Sequence, residues 1–237
     1  RDCLLSRGLG DVYKRQSYSK MNEVADREGF AVIYPQGTID SQGNAFFNVG
    51  YEFNNHSTID DVSFIRELVI HVRDTYQLSE KNIFATGMSN GGDMSYLLAC
   101  TSSDLFKAVA PVAGVMMKKT LDNCNPKKPI PVFEIHGTND KISLFQGDIE
   151  NKGGWGSYYG LPETIQFWAD KHNLDRSGST QIASKGEGDQ NDIIFERYWS
   201  EDNINDVWLY KIVDAGHIWP GFSISWWQNP LLWYYMG

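Results

Sequence analysis

The sequence predicts an α/β fold, a mostly parallel central sheet flanked by helices, and three observations carry that reading. Helical and extended patterns alternate along the chain instead of segregating into blocks. The 237 residues suit one large α/β domain better than two small ones. An extended pattern also runs through Gly87-Met88-Ser89-Asn90-Gly91 straight into a helical one, the strand–turn–helix succession typical of α/β units.

Each element has its own local reason. Residues 17–28 predict a helix stopped by Gly29 at the position after its cap. Residues 30–34 read as a short apolar strand ended by Pro35. Over residues 60–76, Val62, Ile65, Leu68, Val69 and Val72 recur at helical spacing, and Thr58 and Asp61 are spaced as a capping box. Residues 82–87 predict a strand and 91–100 a helix; 108–112 and 131–136 predict strands, the second nearly all apolar as a buried parallel strand should be. A helix is expected over 162–172 and strands over 193–199 and 207–213, the last ending just before Gly216-His217. Residues 177–192, rich in Ser, Gly and Asp, read as a surface loop.

Bulk properties exclude several classes. With 41% hydrophobic and 14% aromatic residues the chain can bury a core. Its net charge is −9 and its largest basic clusters are Lys118-Lys119 and Lys127-Lys128, so no nucleic-acid partner is expected. No apolar run approaches the roughly 20 residues that span a bilayer, so no membrane partner is expected either. The three cysteines, Cys3, Cys100 and Cys124, include no C-x-x-C pair, which argues against zinc and redox motifs. Cys100 closes a helix and Cys124 lies in the following loop; a disulfide in an oxidising compartment and a pair of buried thiols both fit.

The chemistry concentrates at Ser89. Gly-x-Ser-x-Gly between a strand and a helix is the nucleophile elbow of the α/β-hydrolase fold. Its serine sits on a strained turn whose flanks, Gly87 and Gly91, are expected to leave no room for a Cβ. The helix N-terminus favours an oxyanion, and the Asn90 amide is placed as one donor. A serine needs a base, and the base an orienting acid, following in that fold in the order acid then histidine, each just past a later strand. Asp140, four residues beyond the strand at 131–136, and His217, four beyond that at 207–213, fall at those places.

The remaining titratable residues read differently. His71 and His172 belong to helices as surface or packing residues, and His56 lies in a polar loop. His136 is expected to pack under the acid loop, and Asp60 and Asp61 to cap a helix. Asp93 reads as a carboxylate favoured by the helix dipole. Trp219, close behind His217, and Trp155 and Tyr158, in a glycine-rich loop after Asp140, are candidates for lining a substrate cleft. No metal-ligand spacing occurs, and acyl transfer by a triad requires no metal or organic cofactor.

Several stretches resemble one family. Residues 29–37 (GFAVIYPQG), 59–65 (IDDVSFI), 85–92 (ATGMSNGG), 110–114 (APVAG), 136–140 (HGTND) and 216–221 (GHIWPG) are similar to the polyhydroxybutyrate depolymerase and feruloyl esterase group of secreted carboxylesterases. The resemblance spans residues 17–221. It implies cleavage of small or polymeric esters, either hydroxyalkanoates or feruloyl and acetyl groups on plant polysaccharide. It assigns Ser89, Asp140 and His217 as the catalytic residues. It also implies secretion or a periplasmic location and a Cys100–Cys124 disulfide.

Outside that span the likeness stops. Residues 1–16 read as a non-native-looking tail without the layout of a signal peptide, and 222–237 as an atypical, apolar C-terminal tail. Members of the family carry earlier strands and a His-Gly loop that supplies a second oxyanion donor. This chain is therefore expected to lack its first strands, and to be unstable or weakly active as it stands. Two alternatives are a catalytically impaired fragment and a non-catalytic carbohydrate-binding relative; the latter predicts loss of a triad residue, yet all three are present. A serine peptidase of the same fold predicts an added propeller or lid domain, for which these residues leave no room.

Overall fold

The computed structural model describes residues 16–39, 44–182, 192–201 and 203–220. Both predicted tails, apart from Gln16, lie outside the described residues, as do residues 183–191 of the predicted loop. The chain divides into two compact units, one of residues 1–47 with 219–237 and one of residues 48–218.

In the first unit the predicted helix is present but broken once: residues 16–19 are helical, Lys20 turns left-handed (φ 53), and α1 continues over Met21–Glu28. It ends as predicted: Gly29 takes φ 76, and its N–H returns to the Ala25 carbonyl. Residues 30–34 are not a strand. They are apolar enough for one, but a strand exists only through its ladder, and no neighbour pairs with them among the described residues. A short antiparallel pair follows, β1 (Thr38–Ile39) with β2 (Ala45–Phe46).

The second unit carries the predicted sheet. Its helices are α2 (Asp61–Thr75), α3 (Asn90–Thr101), α4 (Lys118–Asp122) and α5 (Leu161–Lys171). Its main strands are β3 (Phe84–Met88), β4 (Ala108–Val112), β5 (Val132–Gly137), β8 (Arg176–Ile182), β9 (Ile193–Ser200) and β10 (Asn203–Ile212). The short pair β6 (Gly147–Asp148) and β7 (Tyr158–Tyr159) stands apart. Across the sheet the order is β3-β4-β5-β10-β9-β8; the first four strands run parallel and the last two extend it antiparallel.

Two local readings are corrected. The cap of α2 is Asp60, whose Oδ1 accepts the Ser63 N–H at 2.9 Å, not the Thr58–Asp61 box. Asp61 is buried instead and accepts the Asn48 N–H. The loop predicted at 177–192 is in its first part strand β8. That strand is polar and exposed at almost every residue, an edge strand with no apolar face for an alternation to reveal.

Register decides what the sheet delivers. Met88 pairs with Val112, Val112 with Ile135, and Gly137 with Ile212. The carboxyl ends of β3, β4, β5 and β10 therefore share one edge, where open parallel sheets place their ligands. Helix α3 lies against β3 and β4, and α5 against β10. At the first contact the backbones nearly touch, since a Cβ on Gly92 would stand 2.9 Å from the Gly114 α-carbon. Trp168 of α5 is wholly buried, with its indole N–H on the Met116 sulfur at 3.3 Å. Cys100 at the end of α3 is joined to Cys124 by a disulfide.

Trp168→Ala is expected to lower unfolding free energy by about 3–5 kcal/mol, the usual cost of emptying an aromatic core site. Urea denaturation checks it, and a loss under about 1 kcal/mol contradicts the packing.

Candidate active site

The serine turn is built by backbone crowding on one side. Ser89 has φ 57 and ψ −123, a conformation that costs a residue with a Cβ on the order of 1–3 kcal/mol. Two bonds hold it there: its N–H donates to the Val112 carbonyl, and its own carbonyl accepts the Asp93 N–H, both at 2.9 Å. A Cβ on Gly87 would come within 2.6 Å of the Gly91 backbone, whereas a Cβ on Gly91 would meet nothing within 4 Å. The expectation of tight packing therefore holds at Gly87 and not at Gly91, whose backbone is the obstacle. Ser89 itself is half-buried.

Immediately after it, Asn90 opens α3 and is buried. Its amide belongs to the first turn, whose N–H groups have no acceptor within the helix and point out of its positive end.

At the next strand ends two loops are pressed together. A Cβ on Gly137 would stand 2.3 Å from the Ala215 carbonyl oxygen and 2.4 Å from that of Gly216. Thr138 and Asn139 donate their N–H groups to the Ile212 and Ala215 carbonyls, and Asp214 donates its own to Thr138 Oγ1. This seam brings Asp140 to His217: Nδ1 of the ring lies 2.7 Å from Asp140 Oδ2, with both side chains buried. A carboxylate only accepts, so Nδ1 carries a proton, and in the neutral ring the lone pair is then on Nε2. The other oxygen, Asp140 Oδ1, accepts the Ile142 and Ser143 N–H groups at 2.8 and 3.0 Å. Among the described residues no hydrogen bond links Ser89 Oγ to the His217 ring.

The other candidates are placed as follows. Trp219 falls in the first unit, where its N–H donates to the Tyr18 hydroxyl. Trp155 is half-buried with its ring edge-on to Tyr51. Tyr158 is buried in β7, and its hydroxyl accepts the Leu144 N–H. His56 and His71 are exposed. His172 is buried, with Nδ1 at the Asn205 carbonyl and Nε2 accepting the Ile130 N–H.

Two carboxyl groups beneath the site differ from the sequence expectation. Asp93 is buried, accepting the Tyr51 hydroxyl and the Val115 N–H. Burial outweighs those bonds and pushes its pKa up to about 7, against the lowering expected from the helix dipole. Burial and the neighbouring Asp93 in turn push the Tyr51 hydroxyl well upward. The second, Glu134, was concealed by the apolar look of its strand. The buried face of β5 carries Val132, Glu134 and His136, while Phe133 and Ile135 turn to the other, half-buried face. A glutamate two residues before a histidine within a strand is the signal that places both on one face.

Comparisons with known proteins follow that geometry. Residues 16–143 match the model of the prolyl oligopeptidase family. Feruloyl esterase B of Piromyces equi is 28% identical over 68% of this chain and 30% of its own length. A probable feruloyl esterase C of Aspergillus flavus is 31% identical over 70% of this chain and 60% of its own. The chain thus spans well under half of the first relative's length, and less than two thirds of the second's. Among solved structures, an acetyl xylan esterase from Aspergillus awamori superposes with a TM-score of 0.54 at 15% identity, covering 87% of this chain and 79% of that one. That likeness is one of fold, and the fold is that of an α/β-hydrolase.

The raised Asp93 pKa has a measurable sign. Between its ordinary 3.8 and about 7 the folded state holds a proton that the unfolded chain has lost. Stability from this group is therefore greatest below about pH 4 and falls as pH rises through that window. In Asp93→Asn that dependence disappears. The stability difference between wild type and variant is expected to change by up to about 1.4 kcal/mol per pH unit across the window, read by urea denaturation. A difference independent of pH contradicts the shift.

Proposed function

The chain belongs to the prolyl oligopeptidase family, and on that footing we propose that it is a serine carboxylesterase that cleaves feruloyl or acetyl esters of plant polysaccharide. The observation that carries the reading is the 2.7 Å contact between His217 Nδ1 and Asp140 Oδ2 at the sheet edge where the Ser89 turn also opens. A buried acid on one ring nitrogen leaves the other as a base, which a merely binding protein has no use for.

In this mechanism Ser89 Oγ attacks the ester carbonyl carbon while His217 Nε2 takes its proton. Asp140 holds the ring in the required tautomer and offsets the charge of the imidazolium. The Asn90 N–H stabilises the oxyanion. Collapse of the tetrahedral intermediate expels the alkoxide, which His217 protonates, and leaves an acyl group on Ser89. Water, deprotonated by His217, then attacks the acyl-enzyme and restores the hydroxyl. Trp155, half-exposed beside Tyr51, would offer its face to an aromatic acyl group.

The ester reading, over a peptide one, is supported by the names of the relatives, feruloyl and acetylxylan esterases. Export is part of the same proposal, and the Cys100–Cys124 disulfide suits an oxidising compartment. No helix among the described residues is long and apolar enough to cross a membrane.

Hydrolysis of methyl ferulate and short p-nitrophenyl esters, with fluorophosphonate labelling, tests the proposal. Wild type is expected to turn over weakly and to be labelled at Ser89. Ser89→Ala is expected to lose at least about a thousandfold in kcat, and the label with it. Turnover that survives the substitution, or preference for a peptide bond, contradicts it.

A further inference from the structure

The triad acid has a second histidine against it. His136 is buried, and its Nε2 lies 2.8 Å from the Ser143 carbonyl and 3.4 Å from Asp140 Oδ2, the oxygen that also meets His217. On its far side, Nδ1 lies 2.8 Å from Glu134 Oε1, again fully buried. The ring is fixed in its slot by Phe145, edge-on at 6.0 Å between centroids.

Proton accounting constrains this pair. A carbonyl oxygen only accepts, so Nε2 carries a proton whatever happens elsewhere. Nδ1 and Glu134 Oε1 must then share one further proton between them, since two lone pairs cannot face each other at 2.8 Å in a buried site. Glu134 Oε1 also accepts the Gly114 N–H at 3.3 Å, which favours the carboxylate form of Glu134. On the other side, the Asp140 carboxylate attracts positive charge onto the ring. Burial opposes charging His136, yet its contacts with Glu134 prevail and raise its pKa above the ordinary value. Burial also raises Glu134, as expected when a pair retains one proton.

We propose that Glu134 and His136 form a positioning dyad for the triad: Glu134 keeps His136 protonated on both nitrogens, and the ring clamps the acid loop through Ser143 and turns a positive N–H toward Asp140. The dyad touches no reacting atom and acts through Asp140, so the inference rests on the triad proposed above. Among the described residues the charged and titratable groups around it are few. Helix α3 brings Asp93, and Tyr96 stands near Glu134 from the same helix. The acid loop brings Asp140, and beyond it lies His217. Asp93, pushed up to about 7, adds its charge only above that pH, and Asp140 is the carboxylate the ring meets directly, at 3.4 Å.

Two measurements that need no substrate test it. In wild type at pH 8, nitrogen-15 spectra of the His136 ring are expected to show both nitrogens protonated; one bare nitrogen overturns the proposal. In Glu134→Gln the positive end beside Asp140 is lost, so the His217 imidazolium is less repelled. Its titration is expected to move up by about 0.5–1 pH unit. An unmoved His217 titration in the folded variant assigns Glu134 and His136 a packing role and overturns the proposal, whatever the change in Tm.

Activity then adds an independent reading. The same variant is expected to lose roughly tenfold in kcat with KM within about twofold, from misplacement of the acid. If wild type turns over no ester, the esterase reading fails, and the two spectroscopic measurements still decide the dyad.

Discussion

The site depends on one close approach between backbones. At the carboxyl ends of two parallel strands, Gly137 lies against the Ala215 and Gly216 carbonyls so closely that no Cβ fits between them. Parallel pairing from Val207 opposite Val132 to Ile212 opposite Gly137 carries the two loops to that point in register. Asp140 and His217, 77 residues apart in the chain, meet there on the loops that leave those paired strands. A slip of one residue would turn alternate side chains to the other face and part them.

What lies beneath that seam is unusual for a core. Asp93, Glu134, His136, Asp140 and His217 are all buried, and buried carboxyl groups are costly unless paired. Most of these groups are paired: Asp93 with Tyr51 and the Val115 amide, Glu134 with His136, and Asp140 with two amides and His217. Two single atoms, Glu134 Oε2 and the oxygen of the nearby Tyr96 hydroxyl, are buried with no hydrogen-bond partner among the described residues. Such polar arrays offset their desolvation through orientation more than through stability, and orientation is what the role proposed for Asp140 behind His217 requires. The strained Ser89 backbone belongs to the same economy, held by the Val112 carbonyl and the first turn of α3.

Much of this was legible in the sequence, for physical reasons. Strands at 108–112, 131–136 and 207–213 announced themselves by β-branched, apolar composition bounded by turn residues, and the ends of the last two point to Asp140 and His217. Gly87 was readable from its motif, although only the structure tells that Gly91 obstructs by its backbone and not by want of space for a Cβ. Illegible features were those set by neighbours. Residues 30–34 have the composition of a strand and no ladder among the described residues, while 176–182 has a ladder and no apolar face. Asp60 and Thr58 are both good caps in the sequence, and only geometry selects Asp60. Glu134 was hidden because an apolar run suggests burial without saying which face a lone acid takes.

The central claim is that Ser89 forms a covalent acyl intermediate, and rapid-quench analysis of p-nitrophenyl ester hydrolysis tests it most directly. The account predicts a burst of p-nitrophenol approaching one equivalent per protein, with the acyl group located on Ser89 by mass spectrometry of the quenched chain. A linear release without a burst under conditions where deacylation is slowed, or an acyl group on another residue, would contradict it.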